Sequence, residues 1–135
     1  MEKFANLCPH PINIEGFPPI PVHPAFAPDG LRLIDEFELD ESGKTLVHIS
    51  PDGVPYVRVP RRERFNKPLS VIKEPYIIVS DMCAEKLKDT CEAPDKLVFT
   101  PDSSTEGSLR EHGRIVGTKR LVLHPRFNVE GGFRP

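Results

Sequence analysis

Six residues have side chains suited to holding a small anionic ligand: Asn6, His10, Arg58, Tyr76, Asp102 and Arg120. A guanidinium pairs bidentately with phosphate, and one or two of them suffice without making a whole domain basic. Arg58 and Arg120 each fall on a predicted strand, where a stiff backbone would fix the fork. Asn6 and His10 offer donors and acceptors to a ribose or a base, and Tyr76 or Phe65 offers a ring for stacking. His10 and Asp102 would also form an acid–base pair if the fold brings them together. Against each arginine stands the simpler reading of a surface side chain.

Other chemistries fit less well. Cys8, His10, His23, His48, His112 and His124 include no Cys-x-x-Cys and no helical His-x-x-x-His pair, so no metal is expected. Ser50, Ser80 and the cysteines lack a Gly-x-Ser-x-Gly elbow, and Ser80 reads better as a helix cap. No Walker loop or dinucleotide fingerprint occurs, and no cofactor is expected. Glu130-Gly131-Gly132 belongs to a tail. Arg61-Arg62-Glu63-Arg64-Phe65 places an aromatic beside arginines, as a single-strand binder does. Yet there is no tryptophan, only two tyrosines and a net charge of −2, which argues against nucleic acid as a partner. Three cysteines (Cys8, Cys83, Cys91) form no disulfide framework and read as reduced, buried intracellular thiols. Cys83 and Cys91 flank the predicted helix.

The elements that must position these groups are mostly strands. Pro11 to Glu15 fits one short strand. Leu33 to Leu39 and Thr45 to Ile49 flank the turn cluster Asp40-Glu41-Ser42-Gly43, and Val54 to Val59 follows Pro51-Asp52-Gly53. Five acids within residues 35 to 41 precede Arg58, Arg61, Arg62, Arg64 and Lys67, two charge blocks that would partly neutralise each other. Pro75 to Ser80 is apolar on both faces and is therefore a central strand. Ser80-Asp81 caps a helix from Met82 to about Cys91, with Met82, Cys83, Ala84 and Leu87 as its buried stripe. Lys96 to Thr100, a hairpin turning at Glu111-His112-Gly113, and Lys119 to His124 complete the strands.

The chain has 135 residues, enough for one domain with a real core, and 16 of them are proline. Such a content opposes an all-helical fold, because an interior proline removes a hydrogen bond and clashes with the preceding turn. Seven prolines fall before residue 29, so residues 16–29 read as an extended arm lying on a domain surface or on an oligomer partner. Residues 125–135 read as a tail that a neighbouring subunit would order. No apolar run approaches the ~18 residues of a membrane span, and no signal-peptide core follows Met1. The expected fold is thus α+β and β-rich: a single domain over residues 1–124, with a mainly antiparallel sheet or partly closed barrel and one short helix at about 80–91. Self-association is expected, since arm and tail need a surface to lie on.

Several motifs resemble, in order, those of a family of small phage and prophage proteins. Asn6-Leu7-Cys8-Pro9-His10-Pro11-Ile12 is similar to the family's opening Asn-Leu-Thr-Pro-His-x-Ile. Ile49-Ser50-Pro51-Asp52-Gly53 with Val57-Arg58-Val59 resembles its Ile-x-Pro-Ser-Gly and Ala-Arg-Val segment. Tyr76-Ile77-Ile78-Val79-Ser80, Phe99-Thr100-Pro101-Asp102 and Gly113-Arg114-Ile115-Val116-Gly117 resemble its later strand, its Pro-Asp and its closing hairpin. Cys8 replaces the family's threonine and Asp52 a serine, and the stretch between Ile14 and Ile49 is longer. The resemblance implies a phage origin and a site of action in the host cytoplasm, but brings no activity with it.

Three functions follow as expectations. The first is a non-enzymatic counter-defence protein that sequesters a small nucleotide-type signal such as a cyclic nucleotide or an ADP-ribose derivative. The second is a protein–protein module that blocks a host or phage protein through the proline arm and the acidic hairpin. The third is a nucleotide hydrolase using His10 and Asp102.

Overall fold

Tyr76-Ile77-Ile78-Val79 has no polar face, and a strand of that kind must be covered on both sides. The structure, a computed structural model, describes residues 2–59, 61–88, 90 and 92–125, and of residues 61–63 the backbone alone. In chain order its strands are β1 (Phe4–Asn6), β2 (Leu33–Glu36), β3 (His48–Ile49), β4 (Pro55–Tyr56), β5 (Arg61–Phe65), β6 (Tyr76–Ile78), β7 (Leu97–Pro101), β8 (Ser108–Glu111), β9 (Arg114–Thr118) and β10 (Leu121–His124). The helix α1 (Asp81–Lys88) lies between β6 and β7. The protein is β-rich with one α-helix and mainly antiparallel pairing, and no barrel closes among the described residues.

The chain packs as two units: the described residues up to Arg32 and from Lys67 onward, and Leu33–Asn66. In the first, a four-stranded sheet runs in the order β1-β6-β7-β10. β6 is central and pairs in parallel with β1 (Ala5↔Ile77) and β7 (Ile77↔Val98), while β10 closes the sheet antiparallel to β7 (Leu123↔Phe99). The parallel pairing of β6 with β7 follows from connectivity, since α1 carries the chain back before β7 begins. Ile77, Ile78, Val79, Val98 and Leu87 are fully buried. β8 and β9 form a separate antiparallel hairpin.

The cap on α1 is the expected one. The Ser80 hydroxyl accepts the Cys83 N–H at 3.3 Å, and Asp81 sits in the first turn. The buried stripe is Cys83, Ala84 and Leu87. Met82, expected within it, is instead exposed, because it lies about 150° round the helix from the centre of that stripe. The helix ends at Lys88, and beyond it the Thr90 hydroxyl donates to the Leu87 carbonyl in place of a continuing turn. Cys91 and the tail beyond Pro125 lie outside the described residues.

The proline arm is sewn into its own unit. Ile12 and Ile20 exchange both backbone hydrogen bonds, His23 N–H donates to the Asn6 carbonyl at 2.8 Å, and Leu31 N–H donates to the Leu7 carbonyl at 2.7 Å. Ile20 and Phe26 are core residues, and Phe26 is 1% exposed. Gly30 makes the return possible: its φ is +72°, and a β-carbon there would stand 2.6 Å from the Leu7 carbonyl oxygen. Among the N–H groups that proline leaves, those of Ile20, His23 and Leu31 go to Ile12, Asn6 and Leu7, and those of Phe26 and Gly30 close turns within the arm.

In Leu33–Asn66, β2 pairs antiparallel with β5 (Ile34↔Arg64) and β3 with β4 (His48↔Tyr56). The Asp40 carboxylate accepts the Ser42 and Lys44 N–H groups and the Ser42 hydroxyl, which is the first cause holding it below the ordinary carboxylate range. The two charge blocks meet across strands, Arg64 with Glu36 and Arg58 with Glu38. No helix among the described residues is long and apolar enough to cross a membrane.

Replacing Phe26 by Ala should cost about 3–5 kcal/mol, read as a lowered urea midpoint, because it empties a filled core site. Phe17→Ala, on the exposed part of the same arm, should change stability by less than about 0.5 kcal/mol.

Candidate functional site

A cleft of about 650 Å³ opens in the first unit where the loop after β1, the end of β7 and the strand β9 converge. That volume falls within the ~300–1,000 Å³ of small-molecule sites. Its walls are apolar, from Pro11, Ile12, Pro101, Ile115 and Val116, and its polar groups include His10, Asn13, Asp102 and Thr118. The floor is tight. Thr118 N–H donates to the Asn13 carbonyl at 2.8 Å, and a β-carbon at Gly117 would stand 2.8 Å from the same oxygen. A residue larger than glycine at 117 would push the Asn13 segment aside.

Asp102 is committed to its own loop. One carboxylate oxygen accepts the Ser104 N–H at 2.9 Å, and the other accepts the Arg120 Nε–H at 2.7 Å. The Ser104 side chain, then the Arg120 guanidinium and the Ser104 N–H, pull this carboxyl down to about 2. Arg120 is raised in turn, first by that hydrogen bond, and its Nη2 lies 3.9 Å from Glu106. Behind the pair, the Thr118 hydroxyl lies within 3.0 Å of the carbonyls of Asp102, Gly107 and Arg120, and it can donate to only one at a time. The shortest, 2.7 Å, is to Arg120. Gly107 is required here too, since a β-carbon would overlap the Asp102 carboxylate.

His10 stands at the cleft exposed to solvent. Its Nδ1 lies 3.1 Å from the Pro11 carbonyl, which can only accept, so that contact selects the tautomer with the proton on Nδ1. Nε2 is left as an acceptor. Asn6 holds this loop from behind. Its amide nitrogen donates to the His10 and Ile20 carbonyls, both at 2.9 Å, and its oxygen accepts the Cys8 N–H at 2.9 Å. It is 1% exposed, so the chain itself occupies this side chain.

The fold therefore brings His10, Asp102 and Arg120 into one neighbourhood and places Asn6 beneath His10. Tyr76 packs elsewhere, in an aromatic cluster with Phe4 and Phe99 at centroid separations of 5.1 and 5.8 Å. Arg58 belongs to the second unit, with its Nη1 4.0 Å from Glu38. Sequence reasoning passed over Asn13, Gly117 and Thr118. The one available signal was Asp102-Ser103-Ser104, the pattern of an aspartate accepting a backbone N–H two residues on. His23, weighed in the sequence only as a metal ligand, accepts the Ala25 N–H at Nδ1, so that its Nε2–H donates to Glu74 at 3.1 Å.

The buried Cys8 thiol is pushed up to about 12, chiefly by burial and then by Cys83 and Asp81. Such a thiol is not a nucleophile. Among the described residues no three of His, Cys, Asp and Glu converge as metal ligands. Comparison with protein-family models, with curated proteins and with solved structures finds no match to this chain.

Because the Asp102 carboxyl is lowered in the folded state, its contribution to stability is complete above the unfolded value of about 3.9 and is lost as pH falls through about 2. Asp102→Asn should lower the urea midpoint at pH 7 and flatten its fall between those values. Urea titrations at a series of acid pH values check both.

Proposed function

We propose that this chain is a phage-derived, non-enzymatic binding protein acting in the host cytoplasm, which counters host defence by capturing a small nucleotide-type signal. The observation that carries the reading is the 650 Å³ cleft, whose apolar walls meet the His10 Nε2 acceptor while Asp102, the carboxylate among its described lining residues, is locked. Flat proline, isoleucine and valine surfaces suit the faces of a base, and His10 Nε2 with the Asn13 amide suits its polar edge. Arg120, whose side chain remains 56% exposed, has guanidinium donors left for a phosphate after Nε is used. Asn6 acts as a positioning residue for the His10 loop rather than as a ligand contact.

The same geometry weakens the hydrolase reading. A general base works best with its pKa near the operating pH, and it needs a free lone pair aimed at the substrate. The His10–Asp102 pair which that reading needs is not made: His10 Nδ1 turns to the Pro11 carbonyl, and the Asp102 oxygens accept from Ser104 and Arg120. The protein-module reading draws on different features, the proline arm and the acidic hairpin.

Titration calorimetry against cyclic mononucleotides, cyclic dinucleotides and ADP-ribose derivatives tests the proposal. One class should bind, with intact ligand recovered after denaturation. His10→Ala should lower its affinity about tenfold, the worth of one good hydrogen bond, and Gly117→Val should abolish binding by closing the floor. Silence across the panel overturns the reading, and turnover of any member replaces it with catalysis.

A further inference from the structure

Antiparallel register joins three short runs of the second unit. Leu39 bridges Thr45, Asp40 N–H donates to the Lys44 carbonyl, and Leu46 N–H donates to the Glu38 carbonyl. Glu38 N–H turns instead to the Arg58 carbonyl at 2.9 Å, so the backbone of Glu38 is bonded to both flanking runs. In β3 and β4, His48 faces Tyr56 and Ile49 faces Pro55. Side chains alternate between the faces of such a ribbon. Glu38, His48, Tyr56 and Arg58 share one face, where they satisfy one another. His48 Nε2 is 3.2 Å from Glu38, Arg58 is 4.0 Å from it, and the His48 ring stacks on Tyr56 at 5.3 Å.

The opposite face takes Phe37, Leu39, Val47, Ile49, Val57 and Val59. All six are exposed, Ile49 at 64%, and none is charged. Among the described side chains of Leu33–Asn66, Phe65 alone is buried. A segment shorter than about 40 residues rarely sustains a core unaided, and monomers rarely expose a contiguous apolar patch of more than a few hundred Å².

We propose that this face is a homodimer interface, packed against the same face of a second copy of the chain. The occupant follows from area and charge. Six half-exposed apolar side chains with their neighbours Thr45 and Pro55 offer on the order of 600 Å² per copy, at the lower edge of the roughly 600–1,000 Å² per partner of a stable interface. A two-fold axis sets the same patch against itself, which a patch of one charge would resist and an uncharged one accepts. Facing ribbons would interdigitate Phe37, Val47 and Val57 across the layer spacing of stacked sheets. Self-association thus rests on the ribbon, and the proline arm stays within its own unit.

Sedimentation velocity of the full chain across micromolar concentrations should show a monomer–dimer equilibrium. Val47→Asp and Ile49→Asp should each weaken the dimer by about tenfold or more, with the circular dichroism of the monomer unchanged. Hydrogen exchange on the wild-type chain decides the matter if a variant fails to fold. Protection of amides 45–49 and 54–58 should rise with protein concentration. A wild-type chain that stays monomeric, a dimer indifferent to both substitutions, exchange at these amides independent of concentration, or a different protein seated on this face would each overturn the proposal.

Discussion

The carboxamide of Asn6 makes three hydrogen bonds in a place where water cannot substitute for any of them, and much of the first unit is arranged around that fact. Its nitrogen gathers the carbonyls of His10 and Ile20, and its oxygen takes the Cys8 N–H. One side chain at the end of β1 thereby fixes the loop that presents His10 and the arm that returns through Ile20. Leaving any of these groups unpaired in the interior would cost about 1–3 kcal/mol. The arrangement works only because β1 is itself anchored on β6, which is paired along both edges and whose Ile77 and Ile78 are fully buried.

The cleft takes its character from groups that are already satisfied. Asp102 and Arg120 neutralise each other, Thr118 gathers the carbonyls of the loop behind them, and Gly107 and Gly117 keep the backbones close. Such a network is stiff, and stiffness favours recognition by shape over chemistry that requires a group to change protonation. The second unit divides its labour differently. Its polar face is closed by Glu38, His48, Tyr56 and Arg58, and its apolar face is left open.

Much of this architecture was legible in the residues. The unbroken apolar run at Tyr76–Val79 marked the central strand, Ser80-Asp81 the helix start, and Asp40-Glu41-Ser42-Gly43 the hairpin turn. The hidden features were those that depend on partners distant in sequence. β1 is a three-residue strand whose identity comes from pairing seventy residues away, and its Phe-Ala-Asn carries no alternation to reveal it. β5 was obscured because its arginines read as a charge block rather than as one strand of a ladder facing Ile34 and Glu36. At the cleft, His10, Asp102 and Arg120 were visible as chemistry. Their arrangement was not, since an aspartate and an arginine 18 residues apart announce no contact until a turn folds one onto the other. Asn6 stood out as a polar residue in a motif, but burial made it a structural staple.

The pairing of β1 with β6 also bears on how the chain is made. Asn6 is synthesised 72 residues before its partner Ile78, with the whole of Leu33–Asn66 between them. At about 5–20 residues per second the N-terminal strand waits roughly 4 to 15 seconds for its ladder. Throughout that interval Phe4, Leu7 and Ile12 have no sheet to cover them. Within the same stretch, Ile20 pairs with Ile12 across only eight residues. The arm thus closes a short loop beside β1, whereas the ladder of β1 with β6 closes a long one and costs more chain entropy.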